Sequence, residues 1–319
     1  MQNFYEEEAQ RRTQRFRTTE KRLEQTEELL ATRSAELTGA QAFLSTADRL
    51  SEAEVLDIVR DLNENIYQVA VNLTEGWEKS QSSQATNSVN VDSAPLAHVP
   101  ALAQLARNRD PVGLTFQLQS CFCYQVARMT SRWAHYPELI PFGSVYQRLS
   151  DSEGQAVSAG WRSLTHTYLS LPPPHSAPLV EELANILDET GSFSSKEQSL
   201  ELVEALALGG IESIIRIALR LECAFMKDVS SSDMSLLFET PGTAFDSARM
   251  VNEFEPNGSP ANPDQGDGVA GVTELGVGRS VCGGPGQTRR VDVLLKTKVV
   301  LEKDVMGSGM PESRDSDID

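Results

Sequence analysis

Cysteine is scarce: Cys121, Cys123, Cys223 and Cys282 are the only ones in 319 residues. So few thiols, so scattered, exclude a disulfide scaffold and point to free cysteines in a reducing compartment. A long apolar run is also missing. The most apolar stretch, Leu206 to Leu221, contains Glu212, Arg216 and Arg220. A membrane span needs about 20 apolar residues in a row, so this stretch reads as a buried helix and no membrane partner is expected. Residues 1–30 lack an apolar signal core, and the sequons at Asn72 and Asn257 read as chance matches. Positive charge is in deficit, with 28 Lys and Arg against 46 Asp and Glu and a net charge of -18. That balance disfavours nucleic acid and anionic membrane as partners. The expected location is intracellular, with nothing to separate cytoplasm from nucleus.

Catalytic signatures are absent too. There is no G-x-S-x-G, no H-E-x-x-H and no paired-carboxylate motif. His135, His166 and His175 stand alone. Cys121 and Cys123 are two apart on an apparent helix, so they point to different faces and cannot share one metal. No Cys or His pair completes a tetrahedral set. Gly276-Val-Gly278 and Gly283-Gly284-Pro-Gly286 look like phosphate-cradling loops, but no Lys-Ser/Thr pair follows them. The expectation is no cofactor, no metal and no enzyme. The hydrophobic fraction is 39%. Counted with Gly and without Tyr it is roughly 44%, just under the roughly 45–50% of globular chains, so part of the chain stands outside any core.

What is present is helical periodicity. Every seventh residue from Ala9 is apolar: Phe16, Leu23, Leu30, Leu37 and Leu44. Such a repeat keeps one stripe of a helix facing a partner helix. The second seam is poor, being Thr19, Thr26, Arg33 and Ala40. Residues 1–45 contain no proline and read as one helix, in which Gly39 costs on the order of 1 kcal/mol relative to Ala. A second helix starts at the capping box Ser51-Glu52-Ala53-Glu54, with Leu50 and Val55 as a hydrophobic staple. Its apolar face is fuller: Val55, Val59, Leu62, Ile66, Val69 and Leu73. The two ladders suit an intrachain helical hairpin as well as a dimer.

Residues 79–97 have linker composition, rich in Ser, Gln and Asn. Beyond them, Asp110-Pro111 caps a helix that is apolar all round from Val112 to Trp133 and hence buried. Further helices are expected over Gln155–Leu169, Pro178–Leu187 and Ser195–Phe225, the last kinked or split at Gly209-Gly210. From about residue 229 the composition turns Gly-rich and acidic. Arg290 to Leu301 is β-branched without a clean period, so strand and short helix both stay open. The last residues, Glu312 to Asp319, form an acidic tail.

One rival reading exists for the first helix. Arg11, Arg12, Arg15, Arg17, Lys21 and Arg22 put six cations within twelve residues, a density like that of the basic region of a DNA-binding zipper. That region must precede its zipper, whereas these charges overlap Phe16 and Leu23. No asparagine lies among residues 11–22 to read adenine. A zipper-type nucleic-acid regulator using Arg11–Arg22 is therefore the alternative, and a solvated helix face the first choice.

Three segments carry a resemblance: Arg22 to Leu30; Phe43 to Glu52, running on to Asn72-Leu-Thr-Glu75; and Ser280 to Gly286 with Leu294 to Asp304. Together they resemble a family of uncharacterised proteins from mushroom-forming fungi. The resemblance implies a fungal source. It brings no activity and no site residue.

The expected fold is mainly α: a coiled-coil or helical-hairpin arm over 1–78, a polar linker over 79–98, a helical bundle over 99–230, and a mostly flexible acidic region over 231–319 with a short ordered segment at 288–304. The expected function is non-enzymatic protein–protein interaction or scaffolding. The partner is another helix or a second copy of the chain, met through Phe16, Leu23, Leu30, Leu37, Leu44, Val55, Val59, Leu62, Ile66, Val69 and Leu73.

Overall fold

The computed structural model describes residues 2–43, 47–83, 102, 109–131, 133, 137–169, 174–254, 267–280 and 290–307. Leu44, His135, Cys282, Gly283 to Gly286, most of the polar linker and the acidic tail lie outside them. The described chain is mainly helical, with strands in its C-terminal part. It forms two compact units, Met1–Thr46 and Ala47–Asp319.

The first unit is a single helix, α1 (Gln2–Phe43). The second begins at α2 (Glu52–Ser83). Its capping box closes as the residues demand: Glu54 Oε2 accepts from the Ser51 amide at 2.8 Å, and the Glu54 amide donates to Ser51 Oγ at 3.3 Å. The Ser51 amide and hydroxyl, both donating to that carboxyl, hold it below its ordinary value. The staple pair packs inward, with Val55 buried and Leu50 half-buried against the core.

Val55, Val59, Leu62, Ile66, Val69 and Leu73 are all buried. They are covered by α3 (Pro111–Thr130) and α7 (Lys196–Cys223). The domain boundary therefore falls near residue 47 rather than at 78. The reason is in the faces. α2 carries Val, Leu or Ile on both seams, and the central helices supply the apolar surface that such a face needs. Between α3 and α7 lie α4 (Ile140–Ser152), α5 (Gln155–Tyr168) and α6 (Ala177–Glu189).

α7 is unbroken through Gly209-Gly210, so the helix is not split there. Gly210 has a different use. A Cβ there would lie 2.3 Å from Val69 Cγ2, so the missing side chain lets α7 approach α2 closely. α7 ends in a π-helical turn, Ala224–Asp228. Asp48 then anchors the exit: its Oδ1 accepts from the amides of Ser230 at 2.7 Å and Ser231 at 2.8 Å.

The C-terminal part holds β1 (Asp233–Leu237), β2 (Met250–Asn252), β3 (Val269–Glu274), β4 (Gly276–Ser280), β5 (Val291–Leu295) and β6 (Thr297–Leu301), then a short α8 (Glu302–Gly307). One sheet has the order β1-β4-β5, all antiparallel. The other is β2-β6-β3, with β2 parallel and β3 antiparallel to β6. The region expected to be mostly flexible thus holds two ordered sheets, with Val269, Val272, Leu275, Val277, Val299 and Leu301 in the same core as the helices.

β3-β4 and β5-β6 run beside each other as one antiparallel ribbon that changes sheet at Leu275 and Lys296. At that crossover Leu275 leaves the strand ladder. Buried Asn63 replaces the lost partner: Nδ2 donates to the Leu275 carbonyl and Oδ1 accepts from its amide, both at 3.0 Å. Gly276 and Gly278, which look like part of a phosphate loop, lie in β4. A Cβ on Gly276 would sit 2.6 Å from the Leu295 carbonyl oxygen. Close backbone approach explains the glycine.

Candidate functional site

α1 is built from strong helix formers, and its threonines are held within the helix. The hydroxyls of Thr18, Thr19, Thr26, Thr32 and Thr38 donate to the carbonyl four residues back, at 2.7–2.9 Å. A hydroxyl bonded this way shares the carbonyl with the helix's own amide, which slightly destabilises the helix. Arg33 pairs with Glu36 at 2.7 Å on the same helix.

Along this helix the ladder stands in solvent. Phe16 is 79% exposed, Leu23 59%, Leu30 62% and Leu37 59%, and Leu29 beside them is 59% exposed. Single exposed apolar residues are ordinary. A stripe repeating every seven residues over four positions is not scattered, and such a stripe is what a helix presents to another helix. The cations Arg11, Arg12, Arg15, Arg17, Lys21 and Arg22 are exposed on the same helix.

The second ladder is placed otherwise. Val55, Val59, Leu62, Ile66, Val69 and Leu73 are spent inside the second unit, on α3 and α7. The eleven positions taken together as one pairing surface therefore divide. Four stand exposed on α1, six form core, and Leu44 lies outside the described residues.

The second unit contains a cavity of about 270 Å³. α4 gives it Tyr146, α5 gives Arg162, the π-helical turn gives Phe225 and Met226, and β1 gives Asp233 and Met234. Trp133 lies 5.3 Å from Trp161 between ring centres, and its Nε1 points at Met226 Sδ, 3.2 Å away. Tyr146 stacks on Trp161 with an interplanar angle of 15°.

Asp233 Oδ1 accepts from Tyr146 Oη at 2.6 Å, from Gln155 Nε2 at 3.1 Å and from Arg162. The Arg162 guanidinium also donates to the carbonyls of Val229 and Ser232. Both charges are buried, and each cancels the other. The cavity therefore offers aromatic faces and a neutralised ion pair.

Of the single histidines, His166 Nε2 lies 3.0 Å from Glu222 Oε1. Cys121 and Cys123 are buried in α3, and burial pushes both thiols well above the ordinary range. They stay protonated at neutral pH.

Sequence reasoning missed Asn63, Asp48, Tyr146, Gln155, Arg162 and Asp233. Their partners lie far off in sequence: Arg162 meets Asp233, and Asn63 meets Leu275. Nothing local marks such pairs. Among the described residues no helix is long and apolar enough to cross a membrane. Comparison of the chain with known protein families, with curated proteins and with solved structures found no match.

Proposed function

We propose that this chain is a non-enzymatic interaction or scaffold protein whose contact surface is the apolar ladder of α1. The observation that carries the reading is the exposure of Phe16, Leu23, Leu30 and Leu37 on one stripe of a 42-residue helix. Burying one such side chain fully stabilises by about 1.5–3 kcal/mol. A partner helix covering the stripe recovers that energy several times over. A long helix in water draws most of its stability from packing, so the same partner also stabilises α1 itself. The α2 face plays no part in this contact, because the core already uses it.

The test compares the full chain with a variant carrying Leu23→Ser, Leu30→Ser and Leu37→Ser. Both are used as bait at matched concentration, with the chain itself and a cell extract as prey. The reading expects stoichiometric capture, of the chain or of another protein, that is lost with the variant. Equal capture by both, or none by either, contradicts it.

A further inference from the structure

We infer that the cavity of the second unit binds a small, uncharged, planar aromatic molecule of two rings, whose one polar end stays at the rim. Whether the cavity does so is independent of what the α1 ladder meets.

Size and lining set the shape of the ligand. An apolar cavity of about 150 Å³ takes one benzene ring, and about 270 Å³ has room for two fused rings. The inner end is mostly apolar. Thr130, Phe225, Met226 and Met234 are all buried there, and the Thr130 hydroxyl already donates to the carbonyls of Val126 at 3.2 Å and Ala127 at 3.1 Å. The outer end is wet. Ser131 and Ser235 are exposed, and Trp133, Tyr146 and Leu236 are half-buried. The cavity thus opens to solvent at this rim. A ligand enters rings first and leaves its polar group among the hydroxyls. Apolar and aromatic walls with a few polar groups are the usual make-up of a small-molecule site.

The charges decide against an ion. Arg162 and Asp233 are both buried. The two terminal nitrogens of Arg162 are committed to Asp233, to Tyr146 Oη at 3.3 Å and to the carbonyls of Val229 and Ser232. No terminal N–H is left to fork onto a carboxylate or phosphate, which is how arginine selects such anions. Asp233 Oδ1 is taken by three donors. The Arg162 guanidinium also lies 6.0 Å over the Tyr146 ring, so a second cation meets a ring that already serves one. An ion of either sign loses its hydration here and gains no free counter-charge. An uncharged ring loses little and gains contact with aromatic and thioether groups. The same bonds make the cavity pre-formed. Arg162 ties α5 to Val229, Ser232 and Asp233, so this wall needs no ordering when a ligand arrives.

The experiment is isothermal titration calorimetry of the full chain at neutral pH. One probe is 2-naphthol, which is uncharged; the other is 2-naphthoate, which has the same rings and a negative charge. One site per chain is expected for 2-naphthol, with a dissociation constant on the order of 0.1 mM or tighter. Binding of 2-naphthoate is expected to be weaker by about ten-fold or more. Ser131→Trp and Ser235→Trp each set a large ring at the rim. Both positions are exposed, so neither substitution reaches the core, and circular dichroism checks that each variant folds. Each is expected to weaken 2-naphthol binding by about ten-fold or more, because the ring occupies the mouth. No binding of 2-naphthol by the wild type at about 1 mM overturns the site. Equal affinity for 2-naphthoate overturns the uncharged class. Unchanged affinity in both folded variants overturns this cavity as the place of binding. The capture experiment, which concerns α1, is decided separately from all of these.

Discussion

At the scale of single residues, the second unit depends on a few buried polar groups whose partners are distant in sequence. Asp233 is the hub of one set, since three donors converge on its Oδ1. Removing one partner of a buried ion pair leaves the other charge uncompensated, at a cost of about 3–5 kcal/mol. Asp233→Ala is therefore expected to lower stability by that order in denaturant unfolding, whereas Asp233→Leu with Arg162→Met recovers much of the loss. Equal loss in the single and double variants would count against this. Asp48 gives a pH-dependent contribution. Partial burial alone would raise its carboxyl, but the bonds from Ser231 and Ser230 outweigh burial and hold it below 3.8. A depressed carboxyl stabilises fully above its unfolded pKa and loses that contribution as pH falls through the folded one. The melting-temperature gap between wild type and Asp48→Ala should thus be constant from pH 7 to 5 and close below about pH 4. A gap that widens in acid would contradict the assignment.

At the scale of elements, glycine separates two kinds of close contact. A Cβ on Gly210 would meet Val69 Cγ2 at 2.3 Å, and one on Gly76 would meet Leu206 Cδ1 at 2.2 Å. The distances are alike, but the neighbours are not. Val69 is buried and β-branched, with little freedom at χ1. Leu206 is 45% exposed and can swing its far end aside. Replacing a mid-helix glycine by alanine gains roughly 0.5–1 kcal/mol, and overpacking a core costs typically 1–3 kcal/mol. Gly210→Ala is expected to destabilise by about 1–2 kcal/mol, and Gly76→Ala to be neutral or slightly stabilising, both by chemical denaturation. The reverse order would show that the α2–α7 contact is set elsewhere. Elements with local signals are legible in the sequence: the Ser51 cap, the Asp110-Pro111 start and the apolar faces of α2 and α3. Gly210 reads as a kink in sequence because its reason lies on another helix. β4 reads as a loop because Gly276 and Gly278 answer to strands packed against them.

At the scale of the whole molecule, the chain uses its two ladders differently. The fuller one, on α2, is consumed by α3 and α7, and this cannot be seen from α2 alone. Periodicity reports that a face is apolar, not what covers it. The strands are hard to read for a similar cause. Their pairings join residues 269–280 to 291–301 and 250–252 to 297–299, and no local pattern encodes such pairing. The ladder on α1 is the one left exposed, and the functional account rests on it. Hydrogen exchange of the α1 amides in the full chain, followed by mass spectrometry with the protein captured on the ladder present and absent, tests that claim most directly. The account predicts strong protection of α1 while that protein, a second copy or another chain, is present at tens of micromolar, and loss of the protection both when it is diluted away and on Leu23→Ser with Leu30→Ser. Exchange in α1 that is the same with and without it, and in the variant, would contradict it.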